Sequence, residues 1–332
     1  MTAATTKEDD FLEHMFIGST HHYILFFTDK GKCYWLKVHE IPEAGRMARG
    51  KSIVNLIQKG QDENIAAFVT VQEFDDTHFV AMVTEHGIIK KTSLEEYSNV
   101  RRSGIAAISM KPGDVLKDVK LTDGSSEMVI GTHNGLAIRF HEEEARPMGR
   151  TAAGVRAIRL SKGDKVVGAV AIRRKSTSIL VVAEHGFGKR SELDEYRVSH
   201  RGGKGIFTMK ATDRTGKMVA IKEVLETDDI VVVTAQGAII RQPAKTIRVA
   251  GRNTQGVRLI RLDAGDKIAA VAVVRSEEEE PVVKPEPAAK TIPATKAKDN
   301  GQDALFTENK APKEPKKVSK EGKQKKRRKG KK

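Results

Sequence analysis

An internal repeat of about fifty residues constrains this 332-residue chain more than any other feature of its sequence. Five segments each combine a short apolar run with a turn glycine, at positions 31, 87, 135, 186 and 237. A second glycine follows 17 or 19 residues later, at positions 50, 104, 154, 205 and 256. The position four residues beyond the second glycine is always apolar and is occupied by Val54, Ile108, Ile158, Met209 and Ile260. A recurrence of this length predicts an array of similar units that bury their apolar faces against one another.

Each repeat is predicted to contain four short strands. The first two are joined by a tight turn in which glycine supplies a positive φ, as in Glu85-His86-Gly87. Short apolar runs rich in Val and Ile favour buried strands, and no window has a long amphipathic helical period. Repeats of four strands that close on themselves protect their sheet edges, so the sequence predicts an all-β, propeller-like disc. A linear β-solenoid is the alternative, although its repeats are usually shorter.

The repeats divide the chain into three regions. Residues 1–20 are expected to be the end of an incomplete first blade, because residues 9–20 match only the closing part of a repeat. The five full repeats are predicted at about 21–76, 77–124, 125–175, 176–226 and 227–275. Residues 276–332 begin with Glu277–Glu280 and end with the basic run Lys325–Lys332. Few aromatic or branched residues occur there, which predicts a disordered acidic-then-basic tail.

Basic residues recur at two fixed distances from the glycines, in a chain of net charge +15. The first position lies four residues before the second glycine and is occupied by Arg46, Arg150, Arg201 and Arg252, with Arg101 and Arg102 in the shorter second repeat. The other position lies four residues after the turn glycine and is occupied by Lys91, Arg139, Arg190 and Arg241. Rotational repetition would set these cations at equivalent places around the disc, where a stiff polyanion could follow them.

A ring of cations predicts sequence-independent binding of double-stranded DNA. Guanidinium groups match phosphate oxygens, and such binding is steeply salt-dependent. Aromatic residues make up only 5% of the chain, so a stacking platform for single strands is poorly supported. Two alternatives remain open. Each arginine could pair with an acidic neighbour such as Glu43, Glu144 or Glu195 and only hold its loop, or the basic rim could meet acidic protein partners.

Several other classes of protein are disfavoured by the sequence. The lone cysteine, Cys33, excludes an intramolecular disulfide and a thiolate-rich metal site. No apolar run approaches the roughly 20 residues of a membrane-spanning helix, and no secretory signal follows Met1, so a cytoplasmic location without membrane partners is expected. Residues Gly45–Ser52 match the phosphate-loop pattern, but a strand-like segment follows them where that motif needs a helix. No combination of side chains predicts an enzyme active site, a cofactor site or a metal site.

The combined motifs resemble one known family, the C-terminal domain of the DNA gyrase A subunit, over residues 7 to about 275. The resemblance is carried by the five repeats, by Gly-Arg-Asn-Thr-Gln-Gly at 251–256 and by Ile-Arg-Leu at 260–262. It implies a β-pinwheel, a six-bladed propeller-like disc of four-stranded blades that exchange strands with their neighbours. The family's signature box, Gln-Arg-Arg-Gly-Gly-Lys-Gly, is matched at five of seven positions by the string at 199–205, although here it lies in the fourth repeat. The related subunit of topoisomerase IV is similar to the chain as well.

The resemblance also implies a function and partners. A domain of this family wraps duplex DNA around a positive rim and supports ATP-dependent negative supercoiling, without being catalytic itself. Its partners would be the gyrase B subunit, together with the breakage-reunion domain of the A subunit, in an A2B2 complex associated with the bacterial nucleoid. ATP and Mg²⁺ would bind elsewhere in that complex, and the catalytic tyrosine would lie outside this chain. Repetition and resemblance together predict DNA contacts from Arg201, Gly202, Gly203, Lys204, Arg46, Arg49, Lys51, Arg101, Arg102, Arg150, Arg252, Lys91, Arg139, Arg190 and Arg241.

Overall fold

A computed structural model of the chain describes residues 19–44, 51–174 and 176–275. These residues form five antiparallel sheets, numbered 1 to 5 in chain order, and no α-helix occurs among them. The strands are β1 (Tyr23–Thr28), β2 (Lys32–Lys37), β3 (Ile65–Val71), β4 (Phe79–Thr84), β5 (Ile88–Ser93), β6 (Ile105–Ala106), β7 (Leu116–Thr122), β8 (Glu127–Thr132), β9 (Leu136–His141), β10 (Val155–Arg156), β11 (Val166–Ile172), β12 (Ser178–Ala183), β13 (Phe187–Glu192), β14 (Ile206–Phe207), β15 (Met218–Val224), β16 (Asp229–Thr234), β17 (Ile239–Pro243), β18 (Val257–Arg258) and β19 (Ile268–Val274). Single 3₁₀ turns lie at Val38–Glu40, Ile53–Asn55, Leu94–Tyr97, Glu142–Glu144, Leu193–Glu195 and Ala244–Thr246.

The turn glycine and a threonine three residues before it close the first hairpin of most repeats. In repeat 2, the amide of Gly87 donates to the carbonyl of Thr84 over 3.0 Å, with Gly87 at φ +79°. The buried hydroxyl of Thr84 accepts a hydrogen bond from the amide of Ile88 over 3.3 Å. The same threonine contact occurs at Thr28, Thr132 and Thr234. A glycine in the left-handed conformation after a tight turn is a common hairpin closure, which explains this part of the pattern.

The outermost strand of each four-stranded sheet comes from the following repeat. Sheet 2, for example, has the order β10-β5-β4-β7, and its outer strand pairs Val155 with Ile89 and Arg156 with Ile88. Sheets 1, 3 and 4 receive β6, β14 and β18 in the same way. Sheet 5 has the order β17-β16-β19, and the described residues supply no fourth strand to it. This exchange of strands between neighbours is the arrangement that the family resemblance implied.

The exchanged segment makes two close approaches to the preceding hairpin. Gly154, the second glycine of its repeat, has φ +84°, and a Cβ there would lie 2.6 Å from the carbonyl oxygen of Ile89. Further along, the carbonyl of Ile158 lies so near Gly87 that a Cβ on Gly87 would be 2.9 Å from it. The second glycine and the apolar residue four positions later therefore recur because both contact the previous repeat.

The apolar core lies between neighbouring sheets. Successive side chains of a strand point to opposite faces, so Val80 and Met82 of β4 pack with Leu25 of sheet 1. Ala81 and Val83, on the other face, pack with sheet 3. Further clusters of the same kind join sheets 3 and 4 and sheets 4 and 5.

The last strand of each repeat lines a central cavity of about 370 Å³. Its walls come from β3, β7, β11, β15 and β19, which pack in that order. Asp118 joins two of these strands, because its Oδ2 accepts a hydrogen bond from the amide of Ala169 over 3.0 Å. Burial would raise the pKa of Asp118, but the nearby Lys120 and Lys222 hold it below its usual value.

The predicted all-β, propeller-like architecture is confirmed. Of the six blades that the resemblance implied, five sheets lie within the described residues. The incomplete first blade, at 1–20, lies outside them except for residues 19 and 20, as does the predicted disordered tail at 276–332. The six-bladed count and the disorder of the tail stay predictions.

Replacing Gly135 by alanine is expected to destabilise the fold more than the same change at Gly237. The two glycines occupy equivalent turns of repeats 3 and 5, at φ +81° and +87°. Both variants therefore incur similar backbone strain, on the order of 1 kcal/mol. At Gly135 the new Cβ would also lie 2.2 Å from the carbonyl oxygen of Met209, whereas nothing lies within 4 Å at Gly237. Urea unfolding should show the larger loss for Gly135→Ala, and equal losses would contradict the inter-repeat contact.

Candidate nucleic-acid interface

The exchanged segments form a connected band along the outer edges of the sheets. Each segment bonds to the one that follows it: the amide of Ser109 donates to the carbonyl of Ala152 over 3.2 Å, and that of Arg159 to Gly203 over 2.8 Å. The amide of Lys210 donates in turn to the carbonyl of Thr254 over 3.1 Å. We call this the rim band, defined as residues 101–110, 146–159, 197–210 and 248–261. Consecutive segments of the rim band are therefore in direct contact with each other.

The loop arginines lie in the rim band but are partly held by the protein. Arg201 donates from Nε to the carbonyl of Glu144 over 2.9 Å and from Nη1 to the carbonyl of Arg156 over 3.1 Å. Arg252 makes the equivalent Nη1 bond to the carbonyl of Phe207 over 2.9 Å. Their side chains thus fasten each loop to the outer strand that precedes it along the chain.

Carboxylates nine residues after the turn glycine complete this attachment. Glu144 accepts a hydrogen bond from the amide of Arg201 over 3.0 Å, and Glu195 accepts one from the amide of Arg252 over 2.8 Å. In the third repeat, Nε of Arg150 lies 3.6 Å from Glu96, with 34% of the arginine side chain exposed. Acidic neighbours therefore lie beside the guanidinium groups of Arg150 and Arg252, whereas the carboxylate of Glu144 binds the backbone amide of Arg201 instead. All three arginines keep only part of their surface for a ligand.

The second recurring basic position is buried at Lys91 and Arg190 and largely covered at Arg139, which corrects the expectation of an exposed ring there. Lys91 lies 3.4 Å from the buried Glu142, with 4% of its side chain exposed. Arg139 pairs with Glu127 and donates to the carbonyls of Leu193 and Tyr196 in the next repeat. Arg190 donates to the carbonyl of Ile247 and is 3% exposed. Arg241 alone is exposed, and it pairs with Asp229. Lys91, Arg139 and Arg190 join neighbouring repeats through these contacts.

The remaining predicted residues divide between exposed positions and positions outside the described residues. Lys51, Arg101, Arg102 and Lys204 are exposed, and no ion pair involves them among the described residues. Gly202 donates its amide to the carbonyl of Ala157 over 2.6 Å, and Gly203 accepts from Arg159, so both glycines lie within the rim band. Arg46 and Arg49 fall in residues 45–50, which lie outside the described ranges. DNA contact by all of these residues stays a prediction.

Two further sets of exposed cations were not identified from the sequence. One set lies eleven residues after the turn glycine, just before each exchanged loop, and comprises Arg146, Arg197 and Arg248. The other lies five residues after the second glycine and comprises Arg159, Lys210 and Arg261. Arg156 and Arg258, on the outer strands, are exposed as well. None of these eight side chains forms an ion pair within the described part of the chain, and their fixed distance from the glycines is a signal that could have found them.

Residues of the kinds that bind metals do not gather in this part of the molecule. Among residues 19–44, 51–174 and 176–275, no three His, Cys, Asp or Glu side chains are grouped so that they could hold a metal ion. Within the same ranges, no helix is long and apolar enough to cross a membrane. The phosphate-loop match is followed by a single 3₁₀ turn at Ile53–Asn55, not by the helix that such a motif requires.

These features define a class: a strand-exchanged, propeller-like repeat protein with a basic rim. A family model described as the DNA gyrase C-terminal domain, a β-propeller, matches residues 22–70, 78–123, 126–173, 177–224 and 228–275. The chain belongs to this DNA gyrase C-terminal domain family.

Curated relatives and solved structures agree with this assignment. The chain is 44% identical to the DNA gyrase A subunit of Clostridium acetobutylicum, over 84% of this chain and 33% of that protein. It is 40% identical to the equivalent protein of Staphylococcus aureus, over 86% of this chain and again 33% of that protein. The chain therefore spans about a third of the length of the relatives it matches.

Two solved structures share the fold. The C-terminal domain of a DNA topoisomerase IV superposes with a TM-score of 0.73 at 29% identity, over 82% of this chain and 84% of that one. A DNA gyrase A C-terminal domain superposes with a TM-score of 0.69 at 21% identity, over 80% of this chain and 90% of that one. The second likeness is evidence for the fold alone.

Single alanine replacements of Arg252 and Arg248 should distinguish an arginine that holds its loop from one that only faces solvent. Arg252→Ala removes the bond to the Phe207 carbonyl and should lower the free energy of unfolding by about 1 kcal/mol. Arg248→Ala removes an exposed side chain and should change it by less than about 0.5 kcal/mol. Urea unfolding measures both, and a larger loss for Arg248→Ala would reverse the assignment.

Proposed function

We propose that this chain binds double-stranded DNA through its rim band and bends the duplex around the edge of the disc. The observation that carries the proposal is the recurrence of exposed cations, free of ion pairs within the described residues, once or more in each of repeats 3, 4 and 5. Because consecutive segments of the band are hydrogen-bonded to each other, the cations follow one continuous edge. Contacts to phosphate alone carry no sequence information, so binding is expected to be largely independent of sequence.

The energetics favour several repeats acting together. Bending a duplex of 20–30 base pairs by 40–90° costs roughly 1–6 kcal/mol. Each neutralised phosphate releases counterions, and this gain is repeated wherever the band meets the backbone. A single patch of cations can bind a duplex without bending it. A curved series of patches stabilises the bent duplex, because only a bent duplex contacts all of them.

Within a longer protein, this module would act with a catalytic core. The curated relatives are DNA gyrase A subunits, and the match covers 33% of each of them. The proposal is that the chain wraps DNA for a gyrase A2B2 complex, next to the breakage-reunion domain and with the gyrase B subunit, and so supports negative supercoiling near the bacterial nucleoid. ATP and Mg²⁺ would act in that complex outside this chain. Tyr34, Tyr97 and Tyr196 are buried between sheets or under loops, which does not suit a DNA-cleaving role for them.

A role in topoisomerase IV is the second candidate. The solved topoisomerase IV domain has the higher TM-score and identity of the two structures compared. The gyrase assignment rests on the full-length relatives, which are 40–44% identical and are gyrase subunits.

Replacing Arg146, Arg197 and Arg248 together by alanine should lower the affinity for DNA and make that affinity less dependent on salt. Each lost phosphate contact reduces the slope of log K against log salt by about 0.9, so the triple alanine variant should lose about 2 to 3 units of slope. Fluorescence anisotropy with a random-sequence duplex measures this across a salt series. The control variant removes Lys117, Lys222 and Arg275, which line the central cavity, and should keep the wild-type slope. Equal losses in both variants would place DNA contact elsewhere.

The tail, which lies outside the described residues, is expected to have two opposing effects. Glu277–Glu280 should compete with DNA for the rim, and Lys325–Lys332 should add non-specific affinity. Changing the four glutamates to glutamine should tighten binding at low salt, whereas deleting the last eight residues should weaken it. Cutting the chain after Arg275 combines both changes, and unchanged affinity in all three variants would dismiss the tail effect.

A further inference from the structure

Two lysines are buried directly beneath loops of the rim band. Lys90 and Lys189 each lie three residues after the turn glycine, and neither side chain is exposed to solvent. The ammonium of Lys90 donates to the carbonyls of Ala107 and Arg150. That of Lys189 donates to the carbonyls of Gly251 and Arg252. In both cases the lysine reaches across to the loop of the following repeat, at the arginine that the sequence singled out.

Neither ammonium group is neutralised by a carboxylate. No ion pair involves Lys90 or Lys189 among the described residues. The charged groups whose fields reach Lys90 are Arg150, which opposes its charge, and Glu96, which favours it. Those that reach Lys189 are Glu195, which favours its charge, and Arg252, which opposes it. Both lysines are thus cations held mainly by carbonyl dipoles in a poorly solvated space.

The fold itself does not require lysine at this position. Ile138 occupies it in the third repeat and packs beneath the loop that contains Gly203, where a Cβ on that glycine would lie 3.5 Å from Cδ1 of Ile138. The third repeat therefore shows that a shorter, apolar side chain supports the same exchanged segment. The two lysines add a charge and two hydrogen bonds to a position that packing alone can fill.

We propose that Lys90 and Lys189 are positioning residues for DNA binding, whose protonated side chains hold the Arg150 and Arg252 loops in the conformation that meets phosphate. This inference rests on the proposed function. The ammonium draws the loop carbonyls inwards, which leaves the arginine side chains and the exposed cations at the loop ends on the outer surface. A neutral amine holds two carbonyls less strongly than an ammonium does, because charge-assisted hydrogen bonds are the stronger kind.

A consequence is that DNA binding takes up protons. Burial, and then the neighbouring Arg150, lower the pKa of Lys90 to about 7, and burial lowers the pKa of Lys189 to about 8 despite Glu195. Phosphates that pair with Arg150 and Arg252 relieve their repulsion of the lysines, so both pKa values rise in the complex. Because each lysine has a higher pKa in the complex than in the free protein, DNA binding is stronger at low pH. The affinity falls as the pH rises through the pKa values of the free protein.

The test compares the wild-type chain with the double variant Lys90→Ile, Lys189→Ile, which copies the third repeat. Fluorescence anisotropy with a random-sequence duplex of about 30 base pairs gives the Kd between about pH 7 and about pH 9, above the usual histidine range. The wild-type Kd should rise roughly tenfold over this interval. The variant should have a weaker and nearly constant Kd, close to the wild-type value at high pH. The control Lys111→Ile, Lys162→Ile loses the same charge from exposed turns and should keep the wild-type slope.

Hydrogen exchange at constant pH provides a readout that does not depend on DNA. In the double variant, amides of residues 149–154 and 251–256 should exchange faster, whereas those of 199–205, above Ile138, should not change. The inference is overturned if the variant keeps the wild-type affinity or pH slope, or if exchange rises equally in all three loops. If the wild-type chain binds no duplex at all, the proposed function fails with it. If the wild type binds DNA without pH dependence, the inference alone fails.

Discussion

The pairing of a two-residue strand with the hairpin of the preceding repeat is the contact on which the rest of this structure depends. Val155 and Arg156 supply only two pairs to β5, yet this pairing covers an edge that would otherwise be open. It requires a glycine at 154, because any Cβ would meet the Ile89 carbonyl, and it brings Ile158 against Gly87. The loop that leads into the strand is thereby carried to the outer edge of the neighbouring sheet. The strand exchange thus links consecutive repeats and also sets the position of the proposed DNA-binding surface.

The same geometry sorts the basic residues into two kinds. Cations that face the neighbouring repeat, such as Arg139 and Arg190, are largely or fully covered and donate to its carbonyls, so they act as links between repeats. Cations at the ends of the exchanged loops, such as Arg197 and Arg248, have no ion-pair partner in the described ranges and face solvent. A net positive charge therefore does not translate directly into a DNA-binding surface. Only the second kind can release counterions from DNA without first breaking protein contacts.

Much of the fold could be predicted from the sequence, because its regularities report backbone geometry. Most of the turn glycines and second glycines mark a close backbone contact that leaves no room for a side chain, as at Gly87 and Gly154. The candidate DNA-binding residues were harder to predict, because a spacing shows that a position recurs but not whether it is exposed. Lys91 is hidden by Glu142, which lies fifty-one residues further along the chain, and no local pattern reveals that partner. Arg146, Arg197 and Arg248 recur as regularly as the basic residues four positions after the turn glycine. The sequence alone therefore offered no reason to choose them as the exposed cations.

The central claim is that a continuous basic edge holds a duplex in a curve. Ligation of nicked circular DNA at saturating protein, followed by removal of the protein, tests it most directly. A wrapped duplex should leave the closed circles with a linking number shifted in one direction from that of circles ligated alone, and the shift should grow with the amount of bound protein. Circles that are fully bound yet keep the linking number of free DNA would contradict the claim.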